Sequence, residues 1–172
     1  MSTWGILGCG TIANEMAATF QKMGHEIYGV ANRTPEKAEK FADKYGVKHV
    51  FKTYEEMLAD ENIDIIYVAT PHSMHYENMK QAVNAGKHIL CEKAITVNAA
   101  QLEEVLELAE EKGLVLMVGH LLLYHPAVNR LKMLIEEGAL GEIVYAQSDR
   151  LNVNYFKNDR SVMWDLGPHD VS

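Results

Sequence analysis

Lys93 follows directly on Gly86-Lys87-His88-Ile89-Leu90-Cys91-Glu92, where a short apolar strand runs out. A titratable amine at the carboxyl end of a parallel strand stands where open α/β sheets bind ligands and do chemistry. Glu92 beside it could orient it, and burial would lower the amine toward the range useful for general acid or base work. The alternative is a solvated lysine that merely begins a loop. Near the far end stands Trp164-Asp165-Leu166-Gly167-Pro168-His169-Asp170. If one helix has begun by Asp165, the four-residue spacing puts Asp165 and His169 on one face, where both could meet a substrate hydroxyl and relay its proton. A capping aspartate with an incidental histidine is the competing reading.

A second group of residues points to a nucleotide. Gly8-Cys9-Gly10-Thr11-Ile12-Ala13 follows the first strand and opens a helix, matching G-x-G-x-x-G/A with alanine in the third place. Gly8 and Gly10 permit a tight turn and the approach of a pyrophosphate to backbone amides at a helix amino terminus, with Thr11 and Ile12 in contact. The second strand ends Gly29-Val30-Ala31-Asn32-Arg33-Thr34, where an acid would hold the ribose 2′-hydroxyl of NAD. No acid is there. Asn32 does not repel a 2′-phosphate, and Arg33 could pair with one while stacking on adenine, so the expected cofactor is NADP, with NAD as the alternative.

The fourth strand breaks at Thr70-Pro71-His72-Ser73-Met74-His75, where Pro71 ends the strand and aims the loop across the crevice. His72 and His75 could reach cofactor or substrate, or His75 could brace the loop. Thr70, Pro71, His72, His75, Glu92 and Lys93 complete the expected cofactor-binding set. A bound nicotinamide cation would further depress the amine of Lys93.

Positioning these residues takes a sheet. To about residue 118, short apolar runs at 3 to 7, 26 to 31, 48 to 51, 64 to 69, 87 to 91 and 114 to 118 alternate with helical patterns. That alternation predicts an α/β fold, a doubly wound parallel sheet of Rossmann type. Thr34 is expected to cap a helix with Pro35 in its first turn, Ala38, Phe41, Ala42 and Tyr45 on one face, and Gly46 as its stop. Asn98 is expected to cap another, which carries Leu102, Val105, Leu106 and Ala109 and ends near Gly113. Beyond Gly119 the pattern predicts a helix from Pro126 to Glu137, one long strand over 142 to 155, and a new helix after Trp164. The expected division is a dinucleotide-binding domain at 1–119 and an incomplete substrate or oligomerisation domain at 120–172.

Composition narrows the partners. The chain has 172 residues, 48% of them hydrophobic, with 16 basic and 24 acidic side chains and a net charge of -8. This balance argues against nucleic acid or an anionic membrane surface. Cys9 and Cys91 lie in different sheet-edge segments and match no metal-ligand spacing, so no metal is expected. The amino terminus enters a strand at once, without a leader pattern, and a cytoplasmic location is expected. The most apolar stretch, Leu114 to Tyr124, is too short to span a membrane.

The chain resembles the N-terminal portion of the Gfo/Idh/MocA family of NAD(P)-dependent oxidoreductases. The resemblance rests on Gly8-x-Gly10-x-x-Ala13, Thr70-Pro71-His72-x-x-His75, Ala85 to Lys93, and Asp165-x-Gly167-x-His169. It implies that Lys93 belongs to the family's Glu-Lys-Pro motif. It implies too that Asp165 and His169 supply the other catalytic positions of a sugar or polyol dehydrogenase. Ala94 stands where the family usually has proline, and His72 where it commonly has asparagine.

Members of the family normally continue into a second α/β domain with a large open sheet, of which only the first long strand is expected here. Such an exposed strand predicts a homo-oligomer paired through 142–155. Residues to about 117 resemble dihydrodiol-type or xylose-type members, whereas Gly119 to Val128 and Trp164 to Asp170 resemble sugar-nucleotide dehydrogenases. A designed chimera, a natural short form and a truncation all fit that pattern. The expected activity is hydride transfer between nicotinamide C4 and a carbinol carbon. The alternative is a module that binds the dinucleotide without turnover.

Overall fold

The computed structural model describes residues 2–149 and 162–171. Six strands lie within two residues of the apolar runs: Trp4–Leu7 (β1), Ile27–Ala31 (β2), His49–Phe51 (β3), Ile65–Val68 (β4), His88–Cys91 (β5) and Leu116–Val118 (β6). All pair in parallel, in the order β3-β2-β1-β4-β5-β6. The chain moves outward from β1 to β3 and then returns to the other side of β1 with β4. Strand order therefore reverses between β1 and β4, where a doubly wound sheet opens its ligand crevice.

Helices Thr11–Met23 (α1), Pro35–Tyr45 (α2), Tyr54–Leu58 (α3), His75–Asn84 (α4) and Ala99–Glu111 (α5) connect the strands. Ala13, Ala17 and Phe20 of α1 and Ala38, Phe41 and Ala42 of α2 pack with Ile6, Val30 and Tyr67 on one face of the sheet. Met57 and Leu58 of α3, Met79, Ala82 and Val83 of α4 and Val105 and Ala109 of α5 pack with Leu7, Ile66, Val68 and Ile89 on the other. Strands covered on both faces need apolar side chains at successive positions, which is why they read as continuous runs.

Local chemistry sets the helix ends. Asn98 Oδ1 accepts the Ala100 amide at 3.0 Å and so caps α5. Thr34 occupies the capping position of α2, but its side chain makes no capping bond. Pro35 explains the difference, because it starts the helix by its fixed φ and carries one amide fewer to satisfy.

The chain divides into two compact units, Met1–Gly119 and His120–Ser172. In the second, a 3-10 turn at Leu121–Tyr124 precedes Pro126–Glu136 (α6), whose start is capped by His125 Nδ1 accepting the Ala127 amide at 3.2 Å. Val162–Leu166 (α7) and Pro168–Val171 (α8) follow.

Two expectations fail in this unit. Residues 142–149 form no strand, and 150–155 lie outside the described residues. A strand needs a partner for its amides and carbonyls; among the described residues none pairs with 142–149, where Val144 and Tyr145 are 86% and 81% exposed. Asp165 and His169 do not share one helix either. The Gly167 amide closes α7 on the Met163 carbonyl at 3.0 Å, and Pro168, which lacks an amide proton, starts α8. No helix among the described residues is long and apolar enough to cross a membrane.

At the amino edge of the sheet, the buried Lys87 ties the turn before β4. Its Nζ donates to the Asp60 carbonyl at 2.7 Å and the Ile63 carbonyl at 2.8 Å. Lys87→Met keeps the side-chain volume and leaves these acceptors without their donor. It is expected to lower the unfolding free energy by about 2–3 kcal/mol, read by chemical denaturation. A loss below about 0.5 kcal/mol would show that the two bonds contribute little.

Candidate functional site

The turn after β1 is built by backbone proximity. Gly8 has φ +95°, and a Cβ there would stand 2.7 Å from the Ala69 carbonyl oxygen. Its amide donates to the Ala31 carbonyl at 2.9 Å, and the next amide, of Cys9, donates to Asn32 Oδ1 at 3.1 Å. Gly10 then precedes Thr11 and Ile12, the first residues of α1. That helix has no side-chain cap and no acid in its first turn. A Cβ on Gly10 would meet nothing within 4 Å. An open approach to the first, intrinsically unpaired amides of a helix is the donor set that a diphosphate requires. These residues fit the dinucleotide that the motif implies.

At the end of β2, Asn32 has a structural task. Its Oδ1 holds the Cys9 amide, and its Nδ2 donates to the Thr34 carbonyl at 3.0 Å, so one side chain fastens two loops. Arg33 is exposed, and its backbone lies near the phenol of Tyr54. Burial raises the Tyr54 phenol above its ordinary value and keeps it protonated. Beside this turn lies a cleft of about 220 Å³ lined by Cys9, Asn14, Lys37, Lys40, Phe41 and Lys44. Burial pushes the Cys9 thiol up to about 11, partly offset by the Lys37 ammonium. Lys37 and Tyr54 escaped the sequence reading. Nothing local in the sequence marks either.

The β4 and β5 ends carry the remaining candidates. Thr70 is buried, and its Oγ1 accepts from Asn78 Nδ2 at 2.8 Å, a partner that sequence reasoning did not single out. Pro71 heads a 3-10 turn at His72–Met74, which its carbonyl closes on the Met74 amide at 2.8 Å. His72 is half-buried, its ring centroid 5.5 Å from that of His75. His75 is 0% exposed; Nδ1 lies 2.8 Å from the Ala94 carbonyl oxygen and Nε2 2.8 Å from that of Thr70. A carbonyl only accepts, so the ring holds both fully only with a proton on each nitrogen. Of the two roles the sequence leaves to His75, this placement is that of a brace, tying the loop after β4 to the one after β5.

Glu92 is buried, and the Tyr67 hydroxyl donates to its Oε1 at 2.6 Å. Burial, reinforced by the Glu92 charge, drives the Tyr67 phenol far above its ordinary value, so it remains a donor. Lys93 is half-buried, and the peptide bond from it to Ala94 is cis. Lys93 thus leaves β5 between a fixed carboxylate and the residue that His75 braces. Asp165 and His169, both half-buried, belong to the second unit. Among the described residues no group of three or more His, Cys, Asp or Glu could hold a metal ion.

Comparison with known proteins agrees with this geometry. A family model described as an oxidoreductase family with an NAD-binding Rossmann fold, Gfo/Idh/MocA, matches residues 2–120. A trans-1,2-dihydrobenzene-1,2-diol dehydrogenase from Xenopus tropicalis is 30% identical over 167 residues, covering 95% of this chain and 50% of that protein. A D-xylose 1-dehydrogenase (NADP(+)) from Hypocrea jecorina is 38% identical over 164 residues, covering 88% and 42%. Among solved structures, a 3-ketoreductase from Actinomadura kijaniata in complex with NADP superposes with a TM-score of 0.76 at 31% identity, over 82% of this chain and 45% of that one. The chain spans about half the length of the curated relatives it matches.

The two glycines of the turn separate folding from binding. Gly10→Ala has room and an ordinary φ of -74°, so its melting temperature is expected to stay within a few degrees of wild type. The added methyl stands where the diphosphate would come, so dinucleotide affinity should fall at least about tenfold, a cost of about 1.4 kcal/mol. Gly8→Ala should destabilise the fold itself. Undiminished affinity in a folded Gly10→Ala protein would remove the diphosphate from this turn.

Proposed function

From the premise that this chain belongs to the Gfo/Idh/MocA family of oxidoreductases with an NAD-binding Rossmann fold, we propose that it is an NADP-preferring dehydrogenase acting on a sugar, polyol or related alcohol. The observation that carries the reading is the uncapped start of α1 behind the open Gly10, reached from a β1 turn that only glycine can make. When bound, the nicotinamide supplies a hydride acceptor and donor. Lys93, at the end of β5, exchanges the proton of the substrate hydroxyl as the carbinol carbon gains or loses hydride. His169 is proposed to share that proton and Asp165 to orient or charge-balance it, on the strength of their motif. Thr70, Pro71 and His72 are proposed as contacts along the cofactor.

Preference for NADP is supported at the end of β2. Position 32, where an acid would hold a ribose 2′-hydroxyl, is an asparagine committed to two backbone groups, and Arg33 is exposed. Lys37, in the neighbouring cleft, supplies a second cation. The relative from Hypocrea jecorina carries NADP(+) in its name. The free thiols of Cys9 and Cys91 suit the reducing cytoplasm. Homo-oligomer formation is proposed from the exposed Ile143, Val144 and Tyr145, without a strand as its basis.

The test combines binding with turnover. NADPH is expected to bind at least about tenfold tighter than NADH, and Arg33→Ala with Lys37→Ala should remove most of that difference, about 1.4 kcal/mol. Across a panel of sugars, polyols and diols, Lys93→Met should retain NADPH binding and lose the bulk of any turnover. NADPH binding without turnover of any panel member selects a dinucleotide-binding module. Equal affinity for the two cofactors would overturn the NADP assignment.

A further inference from the structure

Glu92 is a carboxylate kept under cover at the carboxyl edge of the sheet. The residue is 8% exposed. Its amide donates to the Val68 carbonyl at 3.0 Å, which fixes the backbone against the end of β4. Its Oε1 receives the hydroxyl of Tyr67, itself 1% exposed, at 2.6 Å. That hydroxyl holds the carboxyl group in one orientation. Gly119 stands behind it, where a Cβ would come within 3.2 Å of the same oxygen. The charge is thus held in one place by the ends of β4, β5 and β6.

Topology says which part of a dinucleotide would face it. The fingerprint turn follows β1, and the ribose position of the adenosine half lies at the end of β2. A dinucleotide laid across the reversal of strand order then extends its other half toward β4 and β5. That half is the nicotinamide, which is a cation when oxidised and neutral when reduced. A fixed negative charge interacts differently with the two states, and the difference is a bias in their relative affinity.

We propose that Glu92, its carboxylate fixed by the Tyr67 hydroxyl, biases the cofactor site toward the oxidised nicotinamide. This rests on the dinucleotide reading above and adds to it a redox preference set by this one side chain. Lys93, next along the chain, is unchanged in every variant compared. Tyr67 is a positioning residue here and acts through Glu92.

Dissociation constants for NADP+ and NADPH decide it, measured by titration calorimetry on the wild-type chain, Glu92→Gln and Tyr67→Phe. Neutralising Glu92 is expected to raise the ratio of the NADP+ constant to the NADPH constant by roughly threefold or more, a modest factor because proteins screen charge with an effective dielectric near ~20. Tyr67→Phe keeps the ring and its packing and should move the ratio in the same direction by a smaller factor. It decides the matter alone if Glu92→Gln does not fold. Binding of both forms with an unchanged ratio, or a ratio that moves the other way, overturns the bias and leaves the dinucleotide reading intact. Failure of the wild-type chain to bind either form overturns both.

Discussion

The close approach of β1 to the end of β4 governs the arrangement of the site. The Ala69 amide donates to the Leu7 carbonyl at 2.9 Å, which draws the chain leaving β4 alongside the chain leaving β1. At that distance the Ala69 carbonyl leaves no room for a Cβ on Gly8, and the chain turns through a positive φ. From this constraint follow the sharp reversal into α1, the open amides at its start, and the seating of Ala13, Ala17 and Phe20 beneath the sheet. Asn32 completes the arrangement by taking the Cys9 amide, so β1, β2 and β4 are fastened together where the ligand crevice opens.

The sheet was legible because its central strands β1, β2 and β4 are buried on both faces and alternate with helices that have their own period. Glycine at 8 and 10 and alanine at 13 likewise announce their turn, since that geometry admits few alternatives. What escaped depends on contacts between distant residues. Tyr67 reads as one more apolar strand position until its hydroxyl meets Glu92, twenty-five residues on. Asn78 sits in mid-helix, and its amide makes sense only against Thr70. The helix Tyr54–Leu58 is too short to show periodicity. The strand expected over 142–155 is absent from 142–149, because a strand requires a partner's backbone as well as a suitable sequence. A shared face for Asp165 and His169 required one helix, and Pro168 divides the segment into two.

Charge is distributed along the crevice edge in a way that the net value of -8 conceals. Arg33 follows β2, and Lys37, Lys40 and Lys44 run along α2 beside the neighbouring cleft. Toward β5 the fixed group is the Glu92 carboxylate. Between them stand backbone amides, which suit a diphosphate without contributing a full charge. The braces of the crevice, His75 and Asn32, bond mainly to backbone and so hold loops whose own side chains remain available for chemistry.

Amide hydrogen exchange with and without saturating NADPH bears most directly on the placement of a dinucleotide across this edge. Slower exchange is expected at Gly8 through Ala13, at Arg33 through Lys37 and around Glu92 and Lys93, with the amino edge of the sheet near Lys87 unchanged. Binding that leaves the Gly8–Ala13 amides at their original rates, or protection confined to the amino edge, would contradict a cofactor held at the start of α1.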